Sequence, residues 1–305
     1  MCKDSHEGGG EVIVGPAKEE YFEGEVKILT AIVNKDFAFL NWIEDTDNVA
    51  GANAASTILT MPAQDVTLTA NFEEDGGGNG EPGTGVTDID GNFYPSAIIS
   101  NQEWMAENLR VTQYNNGDVI PTGLNNTDWG NTTDGAYAIY GNDNDMFAAY
   151  GALYNWYAVD DARGLCPTGW HVPSDAEWFE LVNYVVEQGF PNSYVINGAG
   201  NALKSCRQVS SPLGGDCATS EHPRWDSHST FYGTDEFGYS ALPGGARNSN
   251  GFYLSLGRYA TWWSSTESST THAWFWNLYD LNGSSVARSS IVKSNGFSVR
   301  CVRDN

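Results

Sequence analysis

Residues 74–85 read Glu-Asp-Gly-Gly-Gly-Asn-Gly-Glu-Pro-Gly-Thr-Gly, a stretch with no large apolar side chain to place in a core. Glycine removes steric restriction there and the acids keep the backbone solvated, which is the composition of a linker. It cuts the 305-residue chain into parts that must each bury a core of their own, in keeping with the roughly 100–200 residues of an ordinary domain. The chain therefore reads as a tether over residues 1–11, a small module over 12–73, the linker over 74–85, and a large domain over 86–305.

The small module reads as short strands. Val26 to Val33 and Val66 to Phe72 are rich in β-branched residues and partly alternate. Phe37, Phe39 and Trp42 lie between them. The segments Gly-Glu-Val-Lys-Ile-Leu-Thr-Ala, Phe-Ala-Phe-Leu-Asn-Trp and Met61-Pro62-Ala63-Gln64-Asp65-Val66-Thr67-Leu68-Thr69-Ala70-Asn71-Phe72 resemble the internalin B-type repeat of bacterial surface proteins. That resemblance implies a small β spacer with no catalytic role.

The large domain holds ten of the eleven tryptophans. One helix is well marked: Ser174 stands as N-cap with Glu177 three residues on, a capping box. Trp178, Leu181, Val182 and Val185 then recur at helical spacing, and Gly189 and Pro191 end the run. The remainder reads as short strands and long Gly/Asn/Ser loops, an α+β domain.

Charge and cysteines narrow the function classes. The formal net charge is −24, so a nucleic-acid partner, which needs clustered Lys and Arg, is excluded. An anionic membrane face would repel the chain as well, and no apolar run reaches the roughly 18–20 residues of a membrane helix. Residues 241–305 alone carry more basic than acidic groups, six against three. Of the five cysteines, four lie in the large domain and allow three pairings. The reading favours Cys206 with Cys217, closing a short loop, and Cys166 with Cys301, stapling a mid-chain segment to the last strand; free buried thiols are the alternative. Cys2, in Met-Cys-Lys-Asp-Ser before a glycine run, looks like the lipidated cysteine of a processed bacterial lipoprotein, which makes an exported, outer-membrane, cell-surface protein the expectation and a lipid on Cys2 its only membrane contact. A stray cysteine in a cytoplasmic protein is the other reading.

Motifs along the whole large domain resemble the Fibrobacter succinogenes major paralogous domain. They are Thr87 to Asn92, Trp104 to Leu109, Tyr150 to Val159, Cys166 to Pro173, Ala241 to Gly245, Trp262 to Glu267 and Gly296 to Arg303. The resemblance implies a C-type-lectin-like fold, related in shape to the sulfatase-modifying-factor domain, with a twisted sheet, two helices and long loops that present a surface. Trp104 and Trp170 read as core, and His171 between Trp170 and Val172 as a packed core histidine.

Catalytic chemistry is sparse. His6, His171, His222, His228 and His272 form no metal-protease pattern, and neither a nucleophile elbow nor a phosphate loop is present. Gly141-Asn142-Asp143-Asn144-Asp145 alternates oxygen ligands as a calcium loop can, but lacks an EF-hand's glycine and distal glutamate; a solvated loop is the preferred reading, and no cofactor is expected.

Residues 246–292 alternate fixed-looking islands with unpatterned stretches. The layout, ending in Lys-Ser-Asn-Gly-Phe-Ser-Val-Arg-Cys, resembles the variable region of proteins diversified by retroelements. There, adenines of Asn codons are randomised, which reaches many residues but not Lys, Gln, Glu, Met or Trp. Residues 246–292 contain no Lys, Gln or Met, and Glu267, Trp262, Trp263 and Trp274 fall in islands; Trp276 is the exception. An ordinary Ser/Thr-rich loop also lacks Met, but does not account for the missing Lys and Gln. The expected exchangeable face is Phe252, Leu254, Ser255, Arg258, Tyr259, Thr261, Ser269, Thr271, Phe275, Trp276, Tyr279, Leu281, Arg288 and Ser290. These side chains should point to solvent and cluster, with Trp262, Trp263, Trp274 and Phe297 buried. Aromatics and Arg anchor interfaces while Ser and Thr adapt around them, and the basic C-terminal segment suits a neutral or acidic ligand.

Three functions follow. The first is a surface-displayed adhesin or receptor-type lipoprotein binding an unknown surface protein, without enzymatic activity. The second is a glycan-binding module in which Trp276, Tyr259 and Tyr279 stack on sugar rings. The third, an enzyme of the sulfatase-modifying type, is weakened because the large domain's cysteines are read as staples.

Overall fold

The computed structural model describes residues 2–4, 10–15, 22–33, 37–52, 56–74, 80–195, 197–279 and 285–304. The chain divides into two units, Met1–Gly78 and Asn79–Asn305.

In the first unit two three-stranded sheets enclose one core. Leu68–Glu74 pairs parallel with Cys2–Asp4 and antiparallel with Phe37–Glu44. Val26–Val33 pairs antiparallel with Gly10–Gly15 and Ser56–Thr60. Leu29, Trp42, Leu59, Leu68, Ala70 and Phe72 fill the space between. Alternation decides what enters: Leu29 and Ala31 point inward, whereas Val26 and Ile28 are exposed. The first residues are thus not a free tether, because Cys2–Asp4 and Gly10–Gly15 are both strands. The side chain of Cys2 lies outside the described residues.

The linker reading also changes at its ends. Glu74 ends a strand, and Glu81–Pro82 is the edge strand beside Ser96–Ile99. A Cβ on Gly80 would lie 1.8 Å from the carbonyl oxygen of Phe237, and one on Gly83 would lie 2.2 Å from Ser96 Oγ. These two glycines permit close backbone approach rather than flexibility. Residues 75–79 lie outside the described residues.

The second unit is mixed, with more strand than helix in several small sheets. Gln102–Met105 lies between Ser96–Ile99 and the last strand, Val302–Asp304, so the unit's last strand joins the sheet in which its first strand, Glu81–Pro82, is the opposite edge. A five-stranded sheet runs in the order Tyr137–Ala138, Leu153–Asn155, Gly296–Phe297, Ala246–Arg247, Tyr253–Leu254. A three-stranded sheet follows the order Tyr259–Glu267, His272–Tyr279, Ala287–Val292.

The long helix spans Asp175–Glu187, and Ser174 and Glu177 close the capping box. Its buried residues are Trp178, Leu181, Val182 and Val185, the apolar stripe that helical spacing predicts. Every other α-helix described has seven residues or fewer. His171 is not a core residue. Its backbone bridges Val302, while its ring turns outward and Nε2 sits 2.5 Å from Glu177 Oε1. Both expected disulfides form, Cys166 with Cys301 and Cys206 with Cys217.

The tryptophans build two adjoining cores. One gathers Trp156, Trp170, Trp263, Phe275 and Phe297 around the Cys166–Cys301 bond. The other packs Trp104, Trp178, Trp225, Trp262 and Trp276 beneath the long helix. Arg300 is fully buried against the second: its guanidinium lies 4.3 Å from the Tyr239 ring centre and bonds to Asn108 Oδ1 and to the carbonyls of Met105, Tyr239 and Ser240. Burial lowers its pKa, and the acceptors replace the water the cation lost.

Candidate ligand-binding face

The hairpin of Tyr259–Glu267 and His272–Tyr279 is the frame of the site. Tyr259 pairs with Tyr279, Thr261 with Asn277, Trp262 with Trp276 and Trp263 with Phe275. Both of its faces are covered. Phe275 turns toward Trp263 and Phe297, with ring centres 6.4 and 4.9 Å away. Trp276 turns the opposite way, under the long helix, stacked on Trp178 and edge-on to Phe179.

Three expected face residues are therefore interior. Thr261, Phe275 and Trp276 are 5, 9 and 2% exposed, and Thr261 Oγ1 donates to the carbonyl of Gly245. Successive residues of a strand alternate between faces, and here neither face meets solvent over those positions. Trp262, Trp263 and Phe297 are buried as expected, but Trp274 is only half-buried. The guanidinium of Arg288 covers its ring at 3.3 Å.

Arg288 is exposed yet already committed. Its Nε and Nη2 donate to the two carboxylate oxygens of Asp175, each at 2.7 Å. Asp175 Oδ1 also accepts from Trp276 Nε1 at 3.0 Å. This fork ties the edge strand to the first turn of the helix, where a carboxylate is favoured. Ser290 is half-buried beside Trp274 in the ladder.

The basic excess of the C-terminal segment does not form a face. Arg247 is buried over Trp129, Lys293 is buried and bonds Glu267, Arg300 is in the core, and Arg303 bonds Glu103. With Arg288 on Asp175, five of the six cations are spent inside the fold.

The remaining candidates fall at two ends of the hairpin. Ser269 and Thr271 are exposed at its turn. Tyr259 and Tyr279 close the other end with ring centres 4.5 Å apart, roughly 25 Å away at about 3.3 Å per residue. Around that second end the chain gathers Leu254, Ser255 and Arg258, since the amides of Arg258 and Tyr259 both donate to the carbonyl of Ser255. Phe252 and Leu254 are 59 and 46% exposed. Lys204 Nζ reaches the carbonyl of Tyr279 at 2.6 Å and fixes the strand end. Leu281 lies outside the described residues.

Tyr194 belongs to the same neighbourhood and has no signal in the 246–292 pattern. It is 70% exposed, and its loop is tied to the edge strand's start, because Asn192 exchanges two hydrogen bonds with the backbone of Val286. Burial first, then the phenols of Tyr259 and Tyr194, raise the pKa of Tyr279. An aromatic residue just past a helix-ending proline was the one available cue.

The acidic loops are used internally. Asp143 caps the helix Asn144–Tyr150 by accepting from Asp145 N, and Asn142 Oδ1 accepts from Tyr253. Asp90 accepts from Thr112 N, Thr112 Oγ1 and Gln113 Nε2. Among the described residues no group of three or more His, Cys, Asp or Glu side chains is arranged to hold a metal ion, and no helix is long and apolar enough to cross a membrane.

Comparison with known proteins gives two family matches. Residues 4–76 match the divergent InlB B-repeat domain, and residues 98–303 match the Fibrobacter succinogenes major domain. No curated protein and no solved structure gives a significant match. The two families together suggest a surface protein. With two thirds of its length matched, and the motifs of that match forming both cores, the chain belongs to the Fibrobacter succinogenes major domain family.

Proposed function

We propose that this protein is a surface-displayed binder, a lipoprotein held through Cys2, whose large unit has a C-type-lectin-like fold with a diversified ligand-binding face. The observation that carries the reading is the cluster at the open end of the hairpin. Leu254, Ser255, Arg258, Tyr259 and Tyr279 meet there beside Tyr194, outside both cores, while Trp262 and Trp263 stay within. Tyr and Arg with small polar neighbours are the composition of a paratope. The gathering of the unit's first and last strands into one four-stranded sheet supports the fold assignment, because it leaves the intervening chain free to run as long surface loops.

The burial of Thr261, Phe275 and Trp276 narrows the exchangeable set to residues that exchange without unfolding the core. It also removes Trp276 as a sugar platform, so the glycan reading loses its strongest residue. The four cysteines of the large unit are all bonded, which argues against a cysteine enzyme of the sulfatase-modifying type.

Sequencing the 3′ end of the gene across a natural population tests diversification. The expected result is adenine-confined variation at the codons of Arg258, Tyr259 and Tyr279, with those of Trp262 and Trp263 constant, beside a reverse transcriptase and a near-copy of the segment. Uniform variation, or none, would overturn it. Scrambling the same three positions should change which cell surfaces the protein labels while leaving its melting temperature in place; unchanged labelling would argue against a binding face there.

A further inference from the structure

The strand Ala287–Val292 is the edge of its sheet: His272–Tyr279 pairs with it on one side, and among the described residues no strand pairs with it on the other. The ladder fixes which of its backbone groups face out. The amide of Lys293 donates to the carbonyl of Thr271 at 3.0 Å. Antiparallel pairs alternate in their hydrogen bonding, so in this register Ala287, Ser289 and Ile291 also turn their N–H and C=O groups toward the middle strand. Those of Val286, Arg288, Ser290 and Val292 turn outward. Both ends of that outward row are occupied. The Asn192 side chain takes the N–H and C=O of Val286 at 2.7 and 3.1 Å, as a neighbouring strand would. The carbonyl of Val292 accepts from the backbone and side-chain amides of Asn295 at 3.1 and 3.0 Å. Between these two plugs, the backbone N–H and C=O groups of Arg288 and Ser290 have no partner among the described residues. Neither residue is buried.

Donors and acceptors alternating along an open edge are the template for one more strand. We propose that this gap takes a short extended segment of a partner protein, uncharged or basic, which pairs with residues 288–290 as a fourth strand. The guest residues opposite Arg288 and Ser290 share a face with those two side chains. Phe179 stands there, 43% exposed, with its ring centre 5.3 Å from the Arg288 guanidinium, so an apolar guest side chain finds a contact. The net charge of −24 opposes an acidic guest. It also opposes a second copy of the chain. Two copies paired about Ser289 would set Val292 of one opposite Val286 of the other, in the space that Asn192 fills. This site is read through backbone groups and is independent of the diversified face.

A random peptide library displayed on phage, selected on the full chain and counter-selected on Ser290→Pro, tests this. Proline at 290 removes an outward N–H and spares the ladder to His272–Tyr279. Enriched peptides should be poor in Asp and Glu, carry an apolar residue, and bind Ser290→Pro about tenfold more weakly than wild type. In NMR hydrogen exchange, an enriched peptide should protect the amides of Arg288 and Ser290, which exchange fast in the free chain, and leave that of Ser289 as it was. N-methylation of the peptide at alternate backbone amides should abolish binding in one phase and spare it in the other. That arm leaves the protein unchanged and decides the matter if Ser290→Pro lowers the melting temperature. Scrambling Arg258, Tyr259 and Tyr279 should leave the peptide bound, so this site and the diversified face fail separately. No enriched peptide, equal binding to Ser290→Pro, or protection confined to other amides would overturn the proposal. Sedimentation showing a dimer that Ser290→Pro dissociates would overturn it in favour of a second copy.

Discussion

Trp276 lies stacked on Trp178, ring centres 5.8 Å apart and planes 12° from parallel, with its indole N–H on Asp175. Trp276 is therefore scaffold, and so is the strand position it occupies. Trp276→Ser should cost about 3–5 kcal/mol, as removal of a buried large aromatic does. Tyr279→Ser, at the open end of the same strand, should cost about 1 kcal/mol. Urea denaturation of the two variants measures the contrast; equal losses would show that the strand end is also core.

The helix Asp175–Glu187 was legible in the sequence because two independent signals coincide there, the capping box and the spacing of Trp178, Leu181, Val182 and Val185. The inward and outward faces of His272–Tyr279 were not. A strand covered on both sides carries no polar alternation to read, so Trp274 and Trp276, on one face, could not be ranked. Their difference comes from residues far away in sequence: Trp276 meets Asp175, Trp178 and Phe179, whereas Arg288 covers Trp274. The same limit applies to Gly80 and Gly83. Composition cannot tell a spacer glycine from one that admits another backbone. The disulfides were legible because one short loop and one terminal strand left few sensible pairings.

Asn108 joins three elements with one side chain. Its Oδ1 accepts from Trp262 Nε1 at 2.9 Å and Arg300 Nε at 3.0 Å, and its Nδ2 donates to the carbonyl of Tyr150. Asn108→Ala would orphan two buried donors, each costing about 1–3 kcal/mol, so a loss of about 2–5 kcal/mol is expected from chemical denaturation. A loss below about 1 kcal/mol would mean that other acceptors carry Arg300 and Trp262.

The two disulfides close loops of very different length, with separations of 135 and 11 residues. Loop-closure entropy makes the longer link worth about 5 kcal/mol and the shorter about 3 kcal/mol. Replacing Cys166 and Cys301 together by Ala should therefore lower stability more than replacing Cys206 and Cys217. Matched urea curves for the two double variants decide it, and the reverse order would place the difference in native packing instead.

Glu177 gives the long helix a pH-dependent start. Burial alone would raise its pKa, but hydrogen bonds from His171 and from the Ser174 backbone outweigh that and hold its carboxyl below the ordinary value. A carboxylate with a depressed folded-state pKa contributes stability above its unfolded pKa, near 4.3, and loses it as pH falls through the folded value. Glu177→Gln should thus cost up to about 1 kcal/mol near pH 7, with the gap from wild type shrinking below about pH 4. His171→Ala removes one of the bonds that depress the pKa, so its acid limb should begin at higher pH than that of wild type. Melting temperatures of the three proteins between about pH 3 and pH 7 test the linkage, and a gap that stays constant across the range would mean that Glu177 acts through packing and not through its charge.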